Sequence, residues 1–204
     1  MRSARWIGTL FALGSLCFLV GPFPGYIQLV GSGADGVTFF VGSIFFTAAS
    51  ALQFAATPRE ERADWWAGLI QLAGTLLFNI STFDAMNEAL DTAAENRLVW
   101  TPDAFGSICF LVASVLAFCV RRHARPSTEW RIAALNLAGS VAFGISAMAA
   151  FIVPATGTAV DLAAANWTTA LGAACFLAGA LLLRSSEPAV QPGGEAPRES
   201  VDSG

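Results

Sequence analysis

The side chains most able to do chemistry in this sequence are three amides, Gln71, Asn79 and Asn136, within long apolar segments. Burying an amide in hydrocarbon costs free energy unless it finds a hydrogen-bonding partner. Two roles are open for them: hydrogen bonds that join neighbouring helices, or the lining of a path for a small polar solute. Gln71 and Asn136 fall at matching places in the chain, where the first part of the sequence has Phe11. A polar site built on them is therefore expected to be incomplete or asymmetric.

Few other residues could support catalysis. The chain has one histidine, His123, in the arginine-rich segment 121–125, and it has no Ser/His/Asp set, phosphate-binding glycine loop or helical zinc motif. Its four cysteines lie in apolar segments without Cys-x-x-Cys spacing, which is typical of buried apolar filler. The sequence therefore predicts no enzyme, no cofactor, no metal site and no nucleic-acid binding.

The elements that must position these amides are transmembrane helices. The 204 residues are 55% hydrophobic and 13% charged, and the mean hydropathy is +0.59, which is too apolar for a soluble domain. Windows free of charge predict an all-α polytopic bundle over residues 1–184, with spans at 7–23, 37–56, 65–83, 104–120, 132–153 and 162–183. Residues 185–204, rich in Pro, Gly and acids, predict a disordered cytoplasmic tail.

The arginines predict the orientation of this bundle. All 11 cationic residues are Arg, which is typical of a GC-rich bacterial gene, and ten of them fall on one side of the six spans, with Arg97 on the other. The positive-inside rule then places both termini in the cytoplasm of a bacterial cell membrane. The six tryptophans lie at the ends of the spans, as expected for rings that prefer the headgroup layer.

Every span carries one copy of a frame: Gly, a small residue, two apolar positions, and Phe. The frame begins at Gly14, Gly42, Gly74, Gly106, Gly139 and Gly172. Small residues permit close helix packing in lipid, so the frame predicts packing seams, with glycine faces lining a pore as the alternative. The odd-numbered spans resemble one another most, which predicts three tandem helical hairpins and a pseudo-threefold axis along the membrane normal.

The segment Phe40-Val-Gly-Ser-Ile-Phe-Phe46 resembles bacterial small membrane proteins of the YrhK-like type. That resemblance implies helix pairs with a Gly-Ser-Ile-Phe-Phe core, and it implies no known activity.

The connection between the third and fourth spans is the longest on its side. Glu88, Asp91 and Glu95 recur there at helical spacing with apolar residues between them, which predicts a short amphipathic helix lying on the membrane.

Two functions remain open at this stage. One is a structural or interaction bundle in the lipid bilayer, which associates with itself or with another membrane protein through its small-residue faces. The other is a passive carrier or channel for a small neutral solute that uses Gln71, Asn79 and Asn136.

Overall fold

The computed structural model describes residues 2–186, with side chains described from Ala4 onward. The predicted tail, 185–204, lies almost wholly outside the described residues. The helices are α1 (Arg2–Val20), α2 (Pro24–Val30), α3 (Ser32–Ala56), α4 (Arg62–Asp84), α5 (Thr92–Glu95), α6 (Thr101–Arg121), α7 (Thr128–Ala150) and α8 (Leu162–Ser185). A π-helical turn, Asn96–Trp100, joins α5 to α6, and strands β1 (Ile152–Val153) and β2 (Thr158–Ala159) form an antiparallel pair.

The six long helices form a closed ring. Each of α3, α4, α6 and α7 packs against the long helices before and after it in the chain, and α1 packs against α8 to close the ring. Five helices are long and apolar enough to cross a membrane, and α1 with α2 makes a sixth span if the pair, bent by 91°, is counted as one. The predicted all-α bundle is confirmed.

The distribution of residues is that of a protein surrounded by lipid. Large apolar side chains such as Leu76, Ile108 and Leu171 lie half exposed on the outer surface. The interior instead holds alanines, phenylalanines and small hydroxyl residues, and Ser43, Thr75 and Ser140 are completely buried. Apolar residues gain little from leaving lipid, so close packing of small residues and hydrogen bonds hold such a bundle together.

The end of the fifth span differs from the sequence-based expectation. The fifth span was predicted to reach Val153, but α7 ends at Ala150 and the chain then enters the β1–β2 hairpin. Gly157, with φ +66°, supplies the left-handed residue that this turn requires. The Asn96 side chain fixes the hairpin, since it donates to the Ile152 carbonyl at 2.7 Å and accepts from the Ile152 amide at 3.1 Å.

The expected surface helix around Glu88, Asp91 and Glu95 is wrong in its position. Turns continue to Leu90, and a helix starts only at Thr92, where the Asp91 carboxylate caps it by accepting from the Ala94 amide at 2.8 Å. It then runs through the π-helical turn into α6, so the helical part of this connection extends the fourth span.

Candidate functional site

The frame glycines lie where the helices of each hairpin approach most closely. A Cβ on Gly14 would lie 2.9 Å from the Gly42 carbonyl oxygen, and one on Gly139 would lie 3.0 Å from the Gly172 oxygen. Gly74 and Gly106 make the same contact in the middle hairpin, at 3.1 Å. These distances are shorter than ordinary van der Waals contact. The six glycines therefore face one another in three pairs, one in each hairpin.

One turn beyond these glycines, the six frame phenylalanines meet on the axis of the ring. The rings of Phe18, Phe78 and Phe143 form one triangle and those of Phe46, Phe110 and Phe176 another, with centroids 5.8–6.4 Å apart within each triangle. Three contacts of 5.2–5.6 Å join the triangles, one within each hairpin. This trigonal arrangement, called here the Phe prism, has the connectivity that three hairpins around a threefold axis would produce.

A cavity of about 620 Å³ occupies the half of the bundle on one side of the Phe prism. Phe46, Phe110 and Phe176 line its closed end, whereas the other triangle does not reach it. It opens at the end of the bundle that holds the connections 57–61 and 122–127, called here the arginine-rich end. Its rim carries polar and charged residues: Thr57, Glu61, Asp64, Arg121, Ser127, Thr128, Glu129 and Ser186.

Two of the three predicted amides line this cavity. Gln71 and Asn136 both face it, and Phe11 takes the equivalent place on α1, while Gln53 of α3 adds a third amide to the lining. Gln71 Nε2 donates to Ser50 Oγ at 3.2 Å, which leaves its carbonyl oxygen without a partner among the described residues.

Asn136 stands out because its side-chain amide forms no hydrogen bond within residues 2–186. Its backbone carbonyl accepts from Ser140 Oγ at 2.8 Å, but the side chain projects towards Gly179 on α8. A Cβ on Gly179 would lie 2.9 Å from Asn136 Oδ1, so the absence of a side chain there makes room for the amide. An amide in this setting has two donors and an acceptor free for a ligand or for water.

Asn79 lies elsewhere. It is absent from the cavity wall and joins α4 to α3, where its amide oxygen accepts from Thr47 Oγ1 at 2.9 Å and its nitrogen donates to Ser43 Oγ at 2.8 Å. Nearby, Ser43 Oγ and Thr82 Oγ1 are 3.0 Å apart across the same seam. The role open to Asn79 in this arrangement is that of an interhelical hydrogen bond.

The charges of the cavity are confined to its rim. Arg121 Nη1 of α6 donates to Asp64 Oδ1 of α4 at 2.7 Å, and both side chains are partly buried. The deeper wall consists of small, amide and aromatic residues. Among residues 2–186, no group of three His, Cys, Asp or Glu side chains is placed to hold a metal ion.

Sequence reasoning missed Gly179 and Ser114 as parts of the site. Gly179 lies seven residues after the frame glycine Gly172, and its contact with Asn136 depends on how α7 and α8 pack. Ser114 lines the cavity and lies 2.7 Å from Ser140 Oγ across the α6–α7 seam. Ser114 stands eight residues after the frame glycine Gly106, and Ser50 stands eight residues after Gly42. This repeated serine is the sequence signal that could have indicated Ser114.

Comparison with known proteins gives a match to a family model. The model of the YrhK-like protein family matches residues 81–155, which run from the end of α4 to the β1–β2 hairpin. The predicted resemblance is confirmed, but the match covers other residues than 40–46. The matched part holds a similar segment, Gly106-Ser-Ile-Cys-Phe110, in which Cys109 replaces the first phenylalanine of Gly42-Ser-Ile-Phe-Phe46. No curated protein and no solved structure matches the chain.

Proposed function

We propose that this membrane protein binds a small neutral polar solute in the cavity and carries it passively. The observation that supports this most is the side-chain amide of Asn136, which has no partner within the described residues and faces a cavity of about 620 Å³. Small-molecule sites have volumes of about 300–1,000 Å³ and combine apolar walls with a few polar groups. The cavity has that size and that composition.

The chemistry of the wall favours a neutral ligand. Gln71 and Asn136 offer both donors and acceptors, which suits hydroxyl, amide or urea-like groups. Charged side chains occur only at the rim, where Asp64 is already paired with Arg121. An ion held beside the phenylalanines would lose its hydration without a compensating charge.

The same distribution of charge favours passive movement. Proton-coupled carriers use ionisable residues within their spans, and none lines the deeper part of this cavity. The Phe prism closes the cavity on the side away from the rim, so the structure corresponds to a state open at one end. Movement of a solute to the other side would require the rings within each triangle to move apart.

A structural or interaction bundle is the second candidate, and the packing seams support it. However, the small-residue faces that would serve association are occupied within the chain, since Gly14, Gly74 and Gly139 each pack against a glycine of the next long helix. A purely structural role also gives no reason for the room that Gly179 leaves beside Asn136. We therefore favour solute binding.

We also propose that the arginine-rich end faces the cytoplasm of a bacterial cell, with both termini on that side. The support is the distribution of arginine, ten of 11 residues, and the positive-inside rule. In this orientation the cavity opens to the cytoplasm.

The test compares three leucine substitutions in purified protein screened against neutral polyols, amides, ureas and amino acids. Asn136→Leu and Gln71→Leu should fold and lose thermal stabilisation by any solute that stabilises the wild type. Asn79→Leu is the matched control: it should lower the melting temperature, because it removes an interhelical hydrogen bond, and retain the ligand response. If no solute stabilises the wild type more than Asn136→Leu, solute binding is rejected and the structural role stands.

A further inference from the structure

A second, smaller depression lies on the outer surface between α7 and α8. It measures about 340 Å³ and is lined by Trp130, Arg131, Ala134, Leu135 and Leu182. Three of these side chains are aliphatic, and the two at the arginine-rich end are an indole and a guanidinium. A groove on the lipid-facing side of a bundle is filled by lipid, and this one has a positive charge where its headgroup would be.

The groove exists because of a small residue in the third hairpin. Ala134 stands five positions before the frame glycine of α7, and the residues at that offset in the first and second hairpins are Thr9 and Leu69. Both are larger than alanine, so the equivalent surface of those hairpins carries more side-chain volume at this place.

Trp130 is held as a rigid wall of the groove. Its ring packs against Phe118 of α6, with centroids 6.4 Å apart. The guanidinium of Arg125 lies 4.2 Å from the centroid of the indole, which is a cation–π contact. Arg125 therefore adds a second positive charge beside the groove.

Arg131 is free to bind an anion. It is exposed and has no ion pair among the described residues, whereas Arg121 in the same region is paired with Asp64. Glu129, two residues before Arg131, lines the central cavity and so lies on a different face of α7. Guanidinium groups bind phosphate through paired donors.

We propose that this groove binds one anionic phospholipid, with its phosphate on Arg131 and an acyl chain along Ala134, Leu135 and Leu182. The indole of Trp130 lies at the level of the headgroup, which is the usual depth of tryptophan. Basic pockets between transmembrane helices are established sites for acidic headgroups. The proposal is independent of what the central cavity binds.

The experiment is native mass spectrometry of protein released from nanodiscs made with equal parts of phosphatidylglycerol and phosphatidylcholine. We expect one phosphatidylglycerol to remain bound. Arg131→Gln should bind it about fivefold more weakly, as expected for the loss of one cation at the membrane surface. Ala134→Leu, which places the leucine of the second hairpin in the groove, should lose it while Arg131 is retained.

Arg122→Gln is the matched control, because Arg122 is exposed at the same arginine-rich end of the bundle and does not line the groove. It should leave lipid retention unchanged. Equal losses in Arg122→Gln and Arg131→Gln would overturn the proposal in favour of diffuse attraction, and so would full retention by a folded Arg131→Gln. Glycerol 1-phosphate added to the sample should not displace the lipid. Displacement would overturn the proposal, because it would show that the site recognises the phosphate group alone.

Discussion

Gly172→Ala is the most direct test of how the bundle is packed. A Cβ at this position would lie 2.5 Å from Phe143 Cδ2 and 3.0 Å from the Gly139 carbonyl oxygen. Carbon atoms pack at about 3.5–4.0 Å, so the added methyl group overlaps the ring by about 1 Å.

Neither neighbour can move cheaply. The Gly139 oxygen belongs to the backbone of α7, and Phe143 stacks on Phe176 at 5.4 Å while it also touches Phe18 and Phe78. Overpacking of this kind costs about 1–3 kcal/mol. Alanine is favoured over glycine in a helix by about 0.5–1 kcal/mol, so we expect a net destabilisation of up to about 2.5 kcal/mol.

Gly144→Ala is the control, since nothing lies within 4 Å of a Cβ at that position of α7. It should be neutral or slightly stabilising. Both variants would be compared by reversible unfolding in mixed micelles of a mild detergent and dodecyl sulfate. In a double-variant cycle, Phe143→Leu should relieve part of the cost of Gly172→Ala. Equal stability of the two alanine variants, or strictly additive effects in the cycle, would refute the packing described here.

Two further predictions concern the Phe prism and the orientation. Phe78→Ala removes three ring contacts worth about 0.5–1.5 kcal/mol each, so it should lower the unfolding free energy by about 2–4 kcal/mol in the same assay. Phe105→Ala is the control: its ring faces lipid and is 58% exposed, so its removal should change the unfolding free energy little. Equal effects of the two variants would contradict a buried prism. Reporter fusions after Pro24 and after Ala124 should report opposite sides of the membrane, with the second site cytoplasmic, and equal exposure of both would contradict the orientation.

The helices could be predicted from the sequence because their signal is local. A charge-free apolar window marks a span whatever its neighbours are, and the frame glycines mark the face that packs. The end of α7 could not be found in this way, because Ile152 and Val153 continue the apolar run. They leave the helix to pair with Ala159 and Thr158, and the Asn96 side chain that fixes them comes from a connection 56 residues earlier.

The cavity could be predicted only in part, for a related reason. Spacing alone put Gln71 and Asn136 at equivalent places, and both line it. Asn79 has the same side-chain chemistry and a similar apolar context, but it lies eight residues after Gln71 and points into the α3–α4 seam, towards Thr47. Gln71 also bonds to α3, through Ser50, so the two amides differ in their level along α4: the cavity ends at Phe46, Phe110 and Phe176, and Asn79 follows Phe78 of the other triangle. That level depends on where the phenylalanines of all six long helices meet, which the sequence of one helix does not show.

The three hairpins are most alike where they pack and least alike where they enclose space. At the level of the Phe prism, each hairpin contributes the same two glycines and two phenylalanines. One turn before each odd frame glycine, towards the rim, the equivalent residues are Phe11, Gln71 and Asn136, and only two of the three are polar. Packing requires the same residues in every copy, since the loss of one phenylalanine would leave a gap in the Phe prism. A ligand without threefold symmetry requires the opposite, so the loss of symmetry is expected in the half of the bundle that holds the cavity.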